Sequence, residues 1–369
     1  EADIIGSFHP DVVVDAILAK KNLGTRITDA PFVIGVGPGF YAGKDCHCVI
    51  ETKRGHTLGN VIWEKEAIPN TGVPGNIGGF TTERLIRASA DGIMEPVAEI
   101  GDTVEKGQLV ARTGKQPVYA KMSGIVRGML QKDVQVTEGL KIGDIDARCE
   151  PEHCVTISDK ARAVGGGVLE AVSLFGQIYG NYGVALLAAG EAKRFGSDKL
   201  SEKFQGIPLY RHALEKLEAF SGLSRVVVTA REALAEEAQR LGIHIVENRQ
   251  PEQGISHSVS LALQELLSQN PDLEGVLFLV CDQPGIQAAT IQKILNEGCL
   301  HKNSIVCAGY DGMRGNPVLW GSTYFQELMH LTGDTGGRQL MKQYEEKIRI
   351  VECAPEELKD IDRREDMTE

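Results

Sequence analysis

The sequence predicts an α/β protein: a doubly wound, mostly parallel sheet over residues 181–369, preceded by a β-rich first half. Three observations support this. From residue 184, strand-like runs "VALLA", "RVVVTA", "HIVEN", "VLFLVCD", "SIVCAGY" and "IRIVEC" alternate with helical stretches such as 209–220 and 256–268. Near-continuous apolar strands separated by amphipathic helices belong to a sheet buried on both faces. Residues 93–146 give short strands between Gly-Asp and Glu-Gly turns, "GDTVEKGQLVART", "QPVYAKMSGIVRGML" and "VTEGLKIGDID", the pattern of a small β domain. Between 31 and 84, glycine and proline punctuate runs such as "FVIGVG" and "CHCVIET" that are too short to be helices.

At 369 residues the chain is long for a single core, and 42% hydrophobic with 24% charged residues is an ordinary globular composition. Changes of texture divide it into a β-rich region over 1–90, a barrel-like β domain over 91–147, a connecting segment with a helix over 148–180, and the α/β domain over 181–369. A formal net charge of −12 and a pI near 5.3 argue against a general nucleic-acid or anionic-membrane binder, because phosphate surfaces are held by clustered Lys and Arg. No apolar run approaches the roughly 18 residues of a membrane span and no signal peptide is visible, so a cytoplasmic protein is expected. Eight cysteines without a C-x-x-C pair fit reduced packing thiols better than a disulfide framework. The first residue is Glu1 rather than methionine, which suits a sequence that starts partway through a longer protein.

Residues 11–21, "DVVVDAILAKK", have an acidic start and a basic end, an arrangement that suits a short helix and its dipole, with Asn22 and Gly24 to stop it. Irregular β-structure follows over 31–84, where "GPGFYAGKDCHCVIETKRGH" gathers Asp45, Cys46, His47, Cys48 and Glu51. If 45–51 is a strand, Cys46 and Cys48 share one face. That allows either a soft two-thiolate clip for a metal or sulfur species or two small buried hydrophobes. The turns and strands of 93–146 resemble the barrel-sandwich hybrid fold of biotinyl and lipoyl domains, and Lys115 in "TGKQP" stands at about the place of their modified lysine. Its hairpin is short and lacks the flanking residues that ligating enzymes read, which favours an ordinary turn lysine. "ISDKARAVGGGVLEAVSLFG", residues 157–176, has an Asp or Ser N-cap candidate and an apolar stripe broken by three glycines, and reads as a connecting helix.

In the α/β half, ligands belong at the carboxyl ends of the strands. The first strand runs into "LLAAGEAKRFGSDK", where Gly190 and Gly196 let the backbone turn and expose amide N–H groups, while Arg194 and Lys199 add positive charge for a triphosphate. A Walker loop, G-x-x-x-x-G-K-[ST], is excluded: the spacing from Gly190 to Gly196 is one residue too long, and Lys199 stands three past the second glycine. Asp282 ends the apolar strand of "FLVCDQPG", a costly place for a carboxylate unless it holds a divalent metal or caps a helix. Further along, "GYDGMRGNPVLW" offers Asn316 ahead of a strand, "LTGDTGGRQLM" offers Asp334 and Arg338 around a helix start, and "DIDRRED" supplies Asp360 and Asp362.

Leu187 to Lys199 resembles the L-A-A-G-x-S-x-R-M-G-x-x-K signature of the molybdopterin nucleotidyltransferases, and "CDQP", "GNP", "GDTGGR" and "DID" follow in that family's order over 180–369. Within it the text is most similar to the molybdenum cofactor cytidylyltransferases. The departures are Ala192 for serine, Phe195 for methionine, and Arg363-Arg364 where Thr-Pro is frequent. The resemblance implies a Rossmann-like nucleotidyltransferase that moves CMP from CTP to the terminal phosphate of molybdopterin and releases pyrophosphate. It further implies that Leu187, Ala188, Ala189, Gly190, Gly196, Gly254, Ser256 and Ser258 bind the nucleotide. Arg194 and Lys199 then hold the triphosphate, Mg²⁺ sits on Asp282 with Asp362 as second carboxylate, and Asn316, Asp334 and Arg338 are substrate-binding candidates. Relatives that use GTP tend to read L-A-G-G, so the methyl of Ala189 leaves less room for a purine, a difference of about 1–3 kcal/mol.

Residues 1 to about 175 resemble the later part of the YqeB-type proteins associated with selenium-dependent molybdenum hydroxylases, through "DAILAKKNLGT", "NTGVPG", "GLKIGDID" and "ISDKARAVGGGVLEA". That implies a place in molybdenum cofactor maturation and an apo molybdenum hydroxylase as partner. The front half then either helps handle the cofactor or is a non-catalytic docking module. A guanylyltransferase, or a sugar- or polyol-phosphate nucleotidyltransferase, is the alternative for the second half, since fold and loop are shared.

Overall fold

The computed structural model describes residues 4–72, 75–190, 195 and 198–368. The chain divides into two compact units, one made of Glu1–Thr52, Gly59–Ile68 and Gly166–Glu369, the other of Lys53–Leu58 and Pro69–Gly165.

The first unit begins with a small sheet. Strands β1 (Val12–Asp15), β2 (Phe32–Val36) and β3 (Cys48–Ile50) run parallel, and β4 (Val61–Ile62) closes the edge antiparallel to β3. The helix expected over 11–21 is therefore a strand: Val12, Val13 and Val14 pair with Phe32, Val33 and Ile34. Three successive β-branched side chains favour the pleated backbone, and a fully buried neighbour strand outweighs the end charges that suggested a helix. His47 fastens this sheet to the α/β half of the same unit. Its Nδ1 accepts the Val33 N–H at 2.9 Å, so the proton is on Nε2, which donates to the Ala219 carbonyl at 2.6 Å. Beside it the Phe32 and Phe175 rings stack at 4.7 Å.

The larger sheet of this unit has seven strands: β5 (Tyr182–Leu187), β6 (Ser224–Thr229), β7 (His244–Glu247), β8 (Gly275–Val280), β9 (Ile305–Tyr310), β10 (Met313–Gly321) and β11 (Ile348–Glu352), in the order β7-β6-β5-β8-β10-β9-β11. All neighbours are parallel except β10, which is antiparallel to β8 and β9. Helices α1 (Asp159–Ile178), α2 (Leu209–Glu218), α3 (Glu232–Arg240), α4 (Ile255–Gln269) and α5 (Ala288–Leu300) supply the layers. Strand alternation sorts β5 between them. Val184 and Leu186 join a core with Leu214, Leu234 and Ile291, whereas Ala185 joins Val259, Leu263 and Leu266 of α4. Each fully buried aliphatic side chain contributes about 1.5–3 kcal/mol. The chain winds from β5 outward to β7 and returns to β8 on the other side of β5, which makes the carboxyl ends of β5 and β8 the switch point of a doubly wound sheet.

The second unit is β-rich. Residues Gln116–Tyr119, Leu109–Thr113, Gly92–Pro96 and Gln135–Val136 form one four-stranded sheet, and Leu85–Arg87, Lys141–Asp146, Gly124–Met129 and Thr103–Val104 form another. Both are antiparallel, around a core that includes Met94, Val110, Val126, Ile142 and Ile145. The predicted turn at Lys115 is a two-residue hairpin connection with both central residues left-handed, Gly114 at φ 51° and Lys115 at φ 74°. Asp146 anchors the end of the last long strand: two bonds from the Arg148 side chain, at 2.9 and 2.6 Å, hold its carboxyl down at about 2.

Candidate active site

Strand β5 delivers the small residues Ala188, Ala189 and Gly190 to the switch point. Ala188 stays in the ladder, its N–H donating to the Val228 carbonyl at 2.9 Å, and Ala188 and Ala189 are buried. Among the described residues, no heavy atom lies within 4 Å of a Cβ placed on Gly190. Arg194 and Gly196, and Ala192 between them and the strand, lie outside the described residues. Phe195 is buried in the core, and the Arg364 guanidinium stands 5.9 Å from its ring centroid. Two of the departures from the family pattern, Phe195 and Arg364, thus meet in one cation–π contact.

The loop ends in a single turn, Lys199–Ser201. From there the Lys199 ammonium reaches Asp282 Oδ2 at 3.0 Å and Asp362 Oδ1 at 3.7 Å. The structure thus sets Lys199 beside Asp282, 83 positions away, and beside Asp362. Asp282 follows β8, and the backbone of the 355–362 segment is zipped against it. Ile361 N–H donates to the Asp282 carbonyl at 2.8 Å, and Gln283 Nε2 donates to Asp360 Oδ1 at 2.8 Å. Glu357 Oε2 fixes the same segment to the start of α5 by accepting from Gln287 N–H at 3.0 Å and Thr290 Oγ1 at 2.6 Å. Burial pushes the Asp360 carboxyl above the ordinary range against the lowering effect of the Gln283 bond, and the Asp282 and Asp362 charges push the same way. Two carboxylates, Asp282 and Asp362, meet one ammonium here.

The donor set is all oxygen, which suits a hard divalent cation. Among the described residues no three acidic, His or Cys side chains converge into a preformed cage. Mg²⁺ is ordinarily held by one or two carboxylates together with substrate phosphates, so Asp282 and Asp362 fit that group without a third ligand.

On the neighbouring side of the sheet, Gly254 stands before α4 at φ 85°, and a Cβ there would lie 2.6 Å from the Gly333 carbonyl. Next to it Ser256 is fully buried, and its hydroxyl has no bonding partner among the described residues. Ser258 accepts from Asn248 Nδ2 at 3.0 Å. Asp334 Oδ1 accepts the Ile255 N–H at 3.3 Å and so caps α4. Asn316 lies on β10, and Arg338 opens the helix Arg338–Gln343.

Cys46 and Cys48 are wholly buried. β3 begins only at Cys48, and Cys46 lies ahead of it in a bridge to Ala42. Burial pushes the Cys46 thiol up to about 12 and the Cys48 thiol well above its ordinary value, so both are protonated side chains in a packed core. A groove of about 910 Å³ lined by residues including Trp63, Leu174, Lys293, Leu300 and Ile350 contains none of the predicted site residues.

Sequence reasoning passed over Arg231 and Gln283. Arg231 stands two residues past β6, and its guanidinium bonds the carbonyls of Ala188 and Gly190. Its place at the carboxyl end of a strand beside β5 is the signal that was available.

Comparison with known proteins agrees with this geometry. Residues 184–348 match the MobA-like NTP transferase domain. The chain is 54% identical over 171 residues to the uncharacterized protein YqeB of Escherichia coli, covering 46% of this chain and 32% of that protein. It is 28% identical over 168 residues to the purine catabolism protein PucB of Bacillus subtilis, covering 42% of this chain and 78% of that one. A probable molybdenum cofactor guanylyltransferase of Thermococcus gammatolerans is 37% identical over 62 residues, 17% of this chain and 32% of that protein. The chain thus spans about a third of the length of YqeB. Lys199 and Asp282 lie inside the span that matches the MobA-like NTP transferase domain, and Asp362 lies just beyond it.

Proposed function

We propose that the α/β half is a molybdopterin cytidylyltransferase. The observation that supports it best is the Lys199 ammonium held between Asp282 and Asp362 at the switch point where β5 and β8 end. In this reading a terminal phosphate oxygen of molybdopterin attacks the α-phosphorus of CTP, the new P–O–P linkage forms as the α–β bond breaks, and pyrophosphate leaves with the bonding electron pair. Two polyanions must approach each other, so positioning and charge neutralisation do most of the work. The amides around Gly190 and the ammonium of Lys199 hold the phosphates. Asp282 and Asp362 would hold Mg²⁺, which when bound supplies further neutralisation of phosphate charge. Ser256 offers a buried hydroxyl to the nucleoside. Leaving such a group unbonded costs about 1–3 kcal/mol, which a bound ribose or base would offset.

The Ala189 methyl favours CTP. A specific observation favours the second reading, guanylyl transfer: the relative from Thermococcus gammatolerans has that activity in its name. For the rest of the chain we propose a role in presenting the cofactor to a molybdenum hydroxylase, supported by the long match to YqeB.

The test uses the full chain with molybdopterin, Mg²⁺ and equal CTP and GTP, with products identified by mass. The expected product is the CMP adduct with one pyrophosphate per turnover. Lys199→Ala should lower that rate on the order of 100-fold or more. A GMP adduct as main product would replace the first reading by the second, and undiminished transfer by Lys199→Ala would defeat both.

A further inference from the structure

Arg231 stands two residues beyond the end of β6, with its side chain four-fifths buried. Its guanidinium makes three bonds. Nη1 donates to the Ala188 carbonyl at 2.6 Å, Nη2 to the Gly190 carbonyl at 3.0 Å, and Nε to Asp198 Oδ1 at 2.6 Å. Ala188 and Gly190 are where the chain enters the nucleotide loop, and Asp198 is where it leaves, one residue before Lys199. One planar group therefore ties the two ends of the loop together.

The ends of this clamp are themselves anchored. Thr229 Oγ1 accepts the Arg231 N–H at 3.1 Å and donates to the Ala188 carbonyl at 3.4 Å, which fixes the arginine backbone to the strand it grips. Asp198 also accepts from Ser201 Oγ at 2.5 Å, within the turn that carries Lys199. The connection runs without a gap from β6, through Arg231 and Asp198, to the Lys199 turn and so to Asp282. A lysine could not replace the arginine, because a single ammonium on a flexible stem cannot reach three acceptors set out along a rigid fork.

We propose that Arg231 is the positioning residue of the nucleotide loop, setting the distance between the Gly190 backbone and the Lys199 ammonium so that one triphosphate can meet both. The inference rests on the nucleotidyl-transfer reading and deepens it. Arg231 is spent on protein carbonyls and a carboxylate and acts through Asp198 and the loop backbone. Its loss displaces Lys199 without removing a phosphate ligand. A misplacement of about 1 Å at such a group costs on the order of 100-fold in rate.

The experiment compares wild type, Arg231→Ala, Arg231→Lys, Asp198→Asn and the Arg231→Ala/Asp198→Asn double variant for nucleotide KM and kcat, with thermal unfolding of each. Arg231→Ala should raise the nucleotide KM about tenfold or more and lower kcat, Arg231→Lys should not restore either, and added guanidinium ion at millimolar concentration should restore part of both in Arg231→Ala. The double variant should lose little more than Arg231→Ala alone, since the two residues form one link. Wild-type KM and kcat in Arg231→Ala, or full recovery in Arg231→Lys, would overturn the inference. Should Arg231→Ala not fold, an unchanged nucleotide KM in Asp198→Asn overturns it equally. A wild-type protein that transfers no nucleotide at all defeats the proposed function instead, so the two failures are distinguishable.

Discussion

The side chain of Ala189 is a single methyl, buried where β5 gives way to the nucleotide loop. At this scale the proposed choice of base is a steric question, and a methyl group decides it by only about 1–3 kcal/mol. Ala189→Gly should therefore raise turnover of GTP relative to CTP by roughly 10- to 100-fold, with CTP turnover nearly unchanged. Competition between the two nucleotides in one reaction reads the ratio directly, and an unaltered ratio would remove Ala189 from base selection. Lys199 is a different kind of residue, since its ammonium already answers two carboxylates. Any polyphosphate that enters must compete for it, so its exchange of partners is part of nucleotide binding.

At the scale of elements, the site depends on how the loop after β8 lies against the 355–362 segment. Gly285 allows that approach, because a Cβ there would stand 2.4 Å from the Glu356 carbonyl. Gly285→Ala should push the segment outward and carry Asp360 and Asp362 away from Lys199. Overpacking of this sort costs about 1–3 kcal/mol in stability, while transfer should fall by roughly tenfold or more. Far-UV circular dichroism with initial rates separates the two effects, and full activity in a folded variant would show that the segment is free to move. The elements themselves were legible to different degrees. β5, β6, β8 and β9 could be read because runs of consecutive apolar residues, three in β6 and longer in the others, mark a strand buried on both faces. β1 could not, because its flanking charges imitate a helix and its partner Phe32–Val36 lies twenty residues on. Lys199, Asp282 and Asp362 could be picked out from residue type and order as phosphate- and metal-holding groups, whereas their ion pairing with one another could not. The Arg231 clamp was not, because two of its three partners are carbonyl oxygens, which every residue has.

At the scale of the whole molecule, His47 joins parts of one unit that are far apart in sequence, and it gives stability a dependence on pH. Burial lowers its pKa from 6.5 to about 4. Above pH 6.5 the imidazole is neutral whether the chain is folded or not, and its full contribution is present. As pH falls from 6.5 towards 4 the unfolded chain takes up a proton that the folded chain refuses, so stability declines by about 3 kcal/mol at most. Urea unfolding between pH 7.5 and 4.5 should show the decline, and His47→Gln, whose amide can still accept and donate, should flatten part of it. Identical slopes for the two proteins would remove His47 as a source of acid sensitivity. Among the described residues no helix is long and apolar enough to cross a membrane.

The chain enters the first unit, leaves it at Thr52, touches it again over Gly59–Ile68, and returns for good at Gly166. During synthesis, the opening parallel strands emerge long before the groups that cover them. His47 meets the Ala219 carbonyl across 172 positions, which at ribosomal speeds of about 5–20 residues per second is a delay of roughly 10–30 s. In that interval the valine-rich first strands have neither Phe175 nor Ala219 to rest on. The interval sets how long these strands stay uncovered before Ala219 arrives.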